Sequence, residues 1–88
     1  MKWDGGVYSG MINIMGVPHG LGRRVGISTI YEGQFINGKR TGFAREIGIK
    51  YTYIGFWDDG WKHGQGYQVY TDNHVDQGIF DKEKLVKY

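Results

Sequence analysis

The sequence predicts an all-β fold, an elongated single-layer twisted antiparallel sheet of stacked β-hairpins, from three observations. First, tyrosine or aspartate followed two residues later by glycine recurs roughly every 23 residues. The pairs are Tyr8/Gly10, Tyr31/Gly33, Tyr53/Gly55 and Asp76/Gly78. Second, side chains alternate with a period of two, as in Tyr31-Glu32-Gly33-Gln34-Phe35. Third, Asn37-Gly38 and Asp59-Gly60 are dipeptides that favour hairpin turns. A unit this short cannot bury its own apolar face, so neighbouring units must stack.

We divide the chain, taken as one repeat domain over 1–88, into one hairpin per unit. The units cover about 8–30, 31–52, 53–75 and a partial unit 76–88. Two residues after each anchor glycine stands a large apolar side chain: Ile12, Phe35, Trp57 or Phe80. The first unit has an extra loop residue where Pro18 lies, and the fourth has no turn glycine. We expect its tail, Lys82 to Tyr88, to form a short helical turn or an extended arm.

Glycines recur inside the predicted strands, where they normally weaken a sheet. Their periodicity calls for a structural reason. We expect aromatic rings or neighbouring backbone to lie too close to these glycines to leave room for a Cβ atom.

Two segments resemble a known family. Tyr31-Glu32-Gly33-Gln34-Phe35-Ile36-Asn37-Gly38-Lys39-Arg40-Thr41-Gly42-Phe43-Ala44 and the segment from Tyr53 to Tyr67 are similar to the MORN repeat (membrane occupation and recognition nexus), whose usual form runs YEGEWKNGKRHGKG. The resemblance covers about Tyr8 to Phe80 and implies stacked hairpins. Function does not follow from it directly, since such repeats occur in many unrelated proteins.

Composition narrows the class and the location of the protein. The chain has 16 glycines, but its 7 tyrosines, 4 phenylalanines and 3 tryptophans argue against disorder. The absence of cysteine excludes a disulfide framework. No apolar run approaches the ~20 residues of a membrane span. We expect a protein that is neither secreted nor transmembrane, located in the cytoplasm or on the cytoskeleton or an organelle.

Catalytic, metal and cofactor sites are not predicted. Ser9 and Ser28 lack the surroundings of a hydrolase nucleophile. His19 and His63 hold equivalent loop positions two units apart, which should separate them by roughly 20 Å, too far to share a metal ion with each other or to form a set with His74. We therefore expect no enzyme activity, no metal and no cofactor.

The aromatic residues that recur at equivalent strand positions form the first candidate surface. They should stack as one stripe across the sheet, because equivalent positions of successive units are neighbours. Two alternatives are open: a partner-binding groove, or a core that the chain buries itself. In both, Phe35 and Trp57 should be the most buried. The stripe consists of Tyr8, Tyr31, Phe35, Tyr53, Trp57 and Phe80.

Basic residues near the turns form the second candidate surface, a rim that would meet anionic lipid. Its members are His19, Lys39, Arg40, Lys62 and His63. Against this reading, the net charge is only +2, whereas lipid-reading patches carry about four to eight basic residues. The alternative is solvated loop charge. Nucleic-acid binding is not expected, because the basic residues are not concentrated on one face.

These observations favour a non-catalytic protein–protein interaction and scaffolding module of a eukaryotic intracellular assembly, as a subunit of a complex. Phe35, Trp57, Tyr31 and Tyr53 would carry the contacts. The alternatives are a module that binds phosphoinositides or anionic membranes, and a regulatory repeat segment of a larger enzyme. Because the chain begins in mid-pattern, we expect a protein partner or a second copy at a sheet edge. Alternatively, the terminal residues themselves cover the edges.

Overall fold

A computed structural model describes the whole chain, residues 1–88, and confirms the all-β fold. Nine strands form one antiparallel sheet in which spatial order equals sequence order. The sheet is elongated, with principal extents of 40 × 22 × 16 Å. The strands are β1 Lys2–Trp3, β2 Gly6–Ile12, β3 Pro18–Val25, β4 Ile30–Ile36, β5 Lys39–Ile47, β6 Tyr51–Asp58, β7 Trp61–Tyr70, β8 Val75–Asp81 and β9 Lys84–Lys87.

Tight two-residue turns join four of the strand pairs. Asn37-Gly38 and Asp59-Gly60 form two of them, with positive φ at both residues, as the type I′ geometry of hairpins requires. Asp4-Gly5 repeats this pattern between β1 and β2. Lys82 and Glu83 adopt the same sign of φ, 47° and 78°, without a glycine. The fourth unit is therefore a complete hairpin, and its tail is extended, not helical.

Pro18 lies in a different place from the one expected. It begins β3, pairs with Ile12 and is fully buried, so it is not a loop residue. The loop that precedes it is organised by Asn13, whose side-chain oxygen accepts hydrogen bonds from the backbone N–H groups of Met15 and Val17 at 2.9 and 3.1 Å. The longer loop thus ends before Pro18.

A row of small residues crosses the sheet from β2 to β8, near the middle of the strands. At Gly33, an added Cβ would lie 2.2 Å from the Cβ of Ala44 and 2.6 Å from the carbonyl oxygen of Phe43. Such distances are far below van der Waals contact, so glycine is needed where the backbones approach. The expectation drawn from the periodic glycines is confirmed. In register, the row is Gly10, Gly22, Gly33, Ala44, Gly55, Gly66 and Gly78.

The tyrosine of each Tyr-x-Gly motif lies flat along its own strand over this row of small residues. A Cβ on Gly66 would lie 2.5 Å from a ring carbon of Tyr53. The hydroxyl of Tyr53 donates a hydrogen bond to the carbonyl oxygen of Phe56, three residues later, at 2.9 Å. Tyr8 and Tyr31 donate to the carbonyl oxygens at the same offset, each at 2.6 Å. The motif therefore encodes a ring position and not only a strand.

We call the face that bears these tyrosines the core face and the opposite one the outer face. At the ends of the sheet, β1 has two residues and β9 has four. Such short edge strands expose few unpaired backbone groups.

Candidate interaction surfaces

The aromatic stripe on the core face is buried by the chain itself. The six side chains Tyr8, Tyr31, Phe35, Tyr53, Trp57 and Phe80 are between 0% and 3% exposed. Consecutive rings meet edge to face, with centroids 5.0 to 5.4 Å apart, in the order Tyr8, Phe35, Tyr31, Trp57, Tyr53, Phe80. The hypothesis that these residues line an open groove is therefore corrected, because each ring fills the space over its neighbours.

The order of burial also differs from the expectation. Tyr31 and Tyr53 are 0% exposed, whereas Phe35 is 2% and Trp57 is 3% exposed. Tyr31 and Tyr53 each lie between two rings of the stripe, Phe35 and Trp57 for Tyr31, and Trp57 and Phe80 for Tyr53. The indole N–H of Trp57 is buried without a hydrogen-bond acceptor.

The basic rim is also corrected, because two of its five members turn onto the core face. Lys62 pairs in register with Trp57 and is 5% exposed. Arg40 pairs with Phe35, and its guanidinium lies 5.5 Å from the ring centroid of Trp57. Both residues occupy the repeat position that Pro18 holds in the first unit. Pro18 is also buried. Alternation along the strand therefore separates Arg40 and Lys62 from the other rim residues.

The other three rim residues are exposed, and each has a local polar partner. The ammonium of Lys39 lies 3.0 Å from a carboxylate oxygen of Asp59. The Nδ1 atom of His63 lies 3.4 Å from a carboxylate oxygen of Asp81. The Nδ1 atom of His19 accepts a hydrogen bond from the backbone N–H of Asn37 at 3.1 Å. Each of these three exposed rim residues is therefore engaged locally and not held free for an outside anion.

Lys62 is the centre of a polar network inside the core face. Its ammonium donates to the side-chain oxygen of Gln68 at 2.8 Å and lies 3.4 Å from Glu83 and 3.9 Å from Glu46. The ammonium also lies 4.3 Å from the ring centroid of Tyr51, a cation–π distance. A buried charge is tolerated only when it is paired in this way.

Burial changes the acidity of the core-face tyrosines. Removal from water is the main cause that raises the pKa of Tyr53 to about 12. The pKa of Tyr31 is raised for the same reason. Desolvation also raises the pKa of Tyr51, and the hydrogen bond from its hydroxyl to Glu46, 2.6 Å long, adds to the effect. These hydroxyls therefore act as neutral donors.

The outer face carries large apolar side chains that the chain leaves open. Phe43 and Phe56 pair across β5 and β6 and meet edge to face with centroids 5.4 Å apart. Ile54 and Tyr67 pair across β6 and β7. Together with Ile79 on β8, they are between 36% and 50% exposed. Five such side chains on adjacent strands form one continuous patch, which we call the outer-face patch.

A groove of about 510 Å³ runs over the outer-face patch. Besides the five patch residues, its lining includes three glycines of the small-residue row, two glutamines and the C-terminal residues Lys87 and Tyr88. Its volume lies within the roughly 300–1,000 Å³ of ligand-binding clefts. No acidic residue lines it.

Beside the patch lies a ladder of alternating charge on β3, β4 and β5. Arg23, Glu32 and Arg45 are consecutive in register, and one carboxylate accepts hydrogen bonds from both guanidinium groups. The Arg45 contact is 2.5 Å and the Arg23 contact 3.1 Å. These bonds, Arg45 first, lower the pKa of Glu32. The ladder therefore holds one more positive than negative charge.

The outer-face patch was not predicted from the sequence, although a usable pattern was present. In β6, Ile54 and Phe56 alternate with Tyr53, Gly55 and Trp57, so they must point to the other face. The residues shared by all units belong to the core face. The outer face instead carries positions whose residue type changes from unit to unit. Arg45 and Ile54 occupy two such positions, which are neighbours across β5 and β6.

Comparison with known proteins supports the repeat assignment. The family model described as MORN repeat matches residues 31–49 and 53–75, which include most of β4, all of β5, most of β6 and all of β7. No curated protein matches the chain at a significant level. The chain contains no helix long and apolar enough to cross a membrane.

Proposed function

The chain belongs to the MORN repeat family, and from this premise we propose that it is a non-catalytic protein–protein interaction and scaffolding module of an intracellular multi-protein assembly. We assign the binding surface to the outer-face patch and not to the aromatic stripe. The patch is open and apolar, whereas the stripe is the core that holds the hairpins together.

The single observation that carries this proposal is the continuous exposure of Phe43, Ile54, Phe56, Tyr67 and Ile79 on four adjacent strands. Isolated apolar residues on a surface need no explanation, but a contiguous patch indicates an interaction site. Aromatic residues suit such a site because they supply a large contact area with little loss of side-chain entropy.

The membrane-binding alternative draws less support from the geometry. Of the five basic residues proposed for lipid contact, Lys62 is buried and Arg40 faces the core. Lys39 and His63 lie beside acidic groups. The regulatory-segment alternative stays a prediction.

Affinity purification from the native source with quantitative mass spectrometry tests the proposal. The bait is the wild-type chain, compared with Phe43→Ser/Phe56→Ser and with the matched control Ile27→Ser, whose side chain is fully exposed on a loop between β3 and β4. We expect proteins that associate with the wild type and with the control to be lost from the double variant by tenfold or more. Circular dichroism must first establish that all three chains are folded.

Two results would overturn the proposal. One is the same set of associated proteins for the wild type and the double variant. The other is association with vesicles containing anionic lipid that persists in the double variant and disappears on Lys39→Glu, which would favour the membrane alternative.

A further inference from the structure

We propose that the outer-face groove takes an extended peptide segment of a partner protein in which acidic residues at one end adjoin large apolar residues. This inference rests on the proposed function and adds the chemistry of the partner. The apolar residues would occupy the groove over β5 to β8, and the acidic end would lie over the charge ladder of β3 to β5.

The position of the ladder relative to the groove is the first argument. Arg45 pairs in register with Ile54, which lines the groove, so the ladder adjoins the apolar floor at β5. Arg45 and Arg23 share one carboxylate, that of Glu32, and both arginine side chains are about half exposed. A carboxylate from a partner would supply the missing negative charge, and arginine can bind it through two parallel hydrogen bonds.

Acidic residues at the turn edge of the patch disfavour one placement of the acidic end. Asp58 follows Phe56 by two residues and is therefore on the outer face, and Asp81 follows Ile79 in the same way. Both acidic residues lie towards the hairpin turns, away from Arg45. They would repel an acidic end placed at that edge. At the β9 end the groove lining offers one basic residue, Lys87, whereas the ladder offers two arginines that share a single carboxylate, and we assign the acidic end to the ladder.

The shape and polar lining of the groove favour a peptide. The outer face is open along a sheet 40 Å long, and the groove crosses several strands. The exposed amide side chains of Gln65 and Gln77 lie among its apolar residues. Amides donate and accept hydrogen bonds, as an extended peptide backbone requires from its binding site.

A displayed library of random peptides, selected on the immobilised wild-type chain, provides the probe. We expect the selected peptides to carry aspartate or glutamate next to aromatic or branched aliphatic residues. For a selected peptide synthesised with a fluorophore, anisotropy at low salt should show binding that is about 3–10-fold weaker for Arg45→Glu. The loss should shrink as salt is raised towards about 1 M, because exposed charges are screened.

Two further variants sharpen the test. Lys50→Glu makes the same charge change on an exposed residue of the β5–β6 loop that takes no part in the ladder, and it should weaken binding much less than Arg45→Glu. Glu32→Gln frees both arginines and should strengthen binding of the acidic peptide. If Arg45→Glu fails to fold beside Glu32, Arg45→Gln replaces it and should weaken binding to a smaller extent.

The outcomes separate this inference from the proposed function. Selected peptides that are apolar without acidic residues, and that are lost on Phe56→Ser, would overturn the inference and leave the outer face as the binding surface. Selection that yields no peptides, or peptides that bind the Phe43→Ser/Phe56→Ser variant as well as the wild type, would overturn both.

Discussion

At the scale of single residues, the face of the sheet on which an aromatic side chain lies determines its burial more than its residue type does. Trp57 and Phe56 are adjacent in β6, yet Trp57 is 3% exposed and Phe56 is 46% exposed. Trp57 contacts Tyr31 and Tyr53 edge to face on the core face. Phe56 contacts Phe43 on the outer face, where one side of each ring is open. Neighbouring aromatics therefore divide into buried residues of the core and exposed residues of the outer-face patch.

Truncation of these side chains should separate the two roles. We expect Trp57→Ala to lower the free energy of unfolding by about 3–5 kcal/mol, because it leaves a cavity between two tyrosines. Phe43→Ala should lower it by less than about 1 kcal/mol, since its ring is half exposed. Urea denaturation followed by circular dichroism measures both values.

Trp57→Phe is the control for size and polarity. The units before and after have Phe35 and Phe80 at this position, and the indole N–H of Trp57 has no acceptor. Trp57→Phe should therefore lower the free energy of unfolding by less than about 1.5 kcal/mol, as is usual for tolerated exchanges between apolar side chains. Equal losses for Trp57→Ala and Phe43→Ala would contradict the assignment of the two faces.

What the sequence predicts at this scale depends on how far apart the interacting residues are. The Tyr-x-Gly motif is local, because the ring of Tyr53 reaches only three residues along its own strand, and its position over glycine was predicted. The burial of Lys62 is not local, since its ammonium lies near Gln68, Glu46 and Glu83. No pattern near Lys62 indicates these partners, so it was interpreted as an exposed turn residue.

At the scale of elements, the β8–β9 hairpin explains why one unit departs from the repeat. Its turn residues, Lys82 and Glu83, adopt positive φ although neither is glycine or asparagine. The carboxylate of Glu83 accepts a hydrogen bond from the backbone N–H of Lys62 at 3.0 Å and lies 3.4 Å from its ammonium. A turn glycine would relieve strain but would leave Lys62 without this partner. The absence of a turn glycine from this unit thus has a structural role.

The strain in this turn is open to a direct measurement. Asparagine adopts positive φ more readily than lysine, so Lys82→Asn should raise the free energy of unfolding by about 0.5–1 kcal/mol. Glu83→Gly should raise the free energy of unfolding by a smaller amount, or lower it, because it removes the contacts with Lys62. Thermal unfolding of both variants provides the comparison, and greater stability for Glu83→Gly than for Lys82→Asn would contradict this account of the turn.

At the scale of the whole molecule, the row of buried tyrosines couples stability to pH. In the folded chain, burial raises the pKa of Tyr31 and Tyr51 and raises that of Tyr53 to about 12, whereas the unfolded value is about 10. The folded state therefore keeps protons that the unfolded state releases above pH 10. Stability from this source is complete below about pH 10 and decreases as pH rises through 12.

We expect cooperative unfolding in alkali, with tyrosinate absorbance and loss of circular dichroism changing together. The variant Tyr31→Phe removes one of the coupled hydroxyls and should make the decline of stability above pH 10 less steep, even though it also loses the hydrogen bond to Gln34. Ionisation of the core tyrosines while the dichroism stays unchanged would contradict this coupling.

The sequential order of the strands has a consequence for how the chain folds. Every strand pairs only with its neighbours in sequence, through loops of at most a few residues. The entropy lost in closing each loop is therefore small, and the contact order is low for an all-β protein. Each hairpin is able to pair as soon as its second strand is available, so we expect this sheet to fold faster than sandwiches or barrels of similar size, which must bring distant strands together.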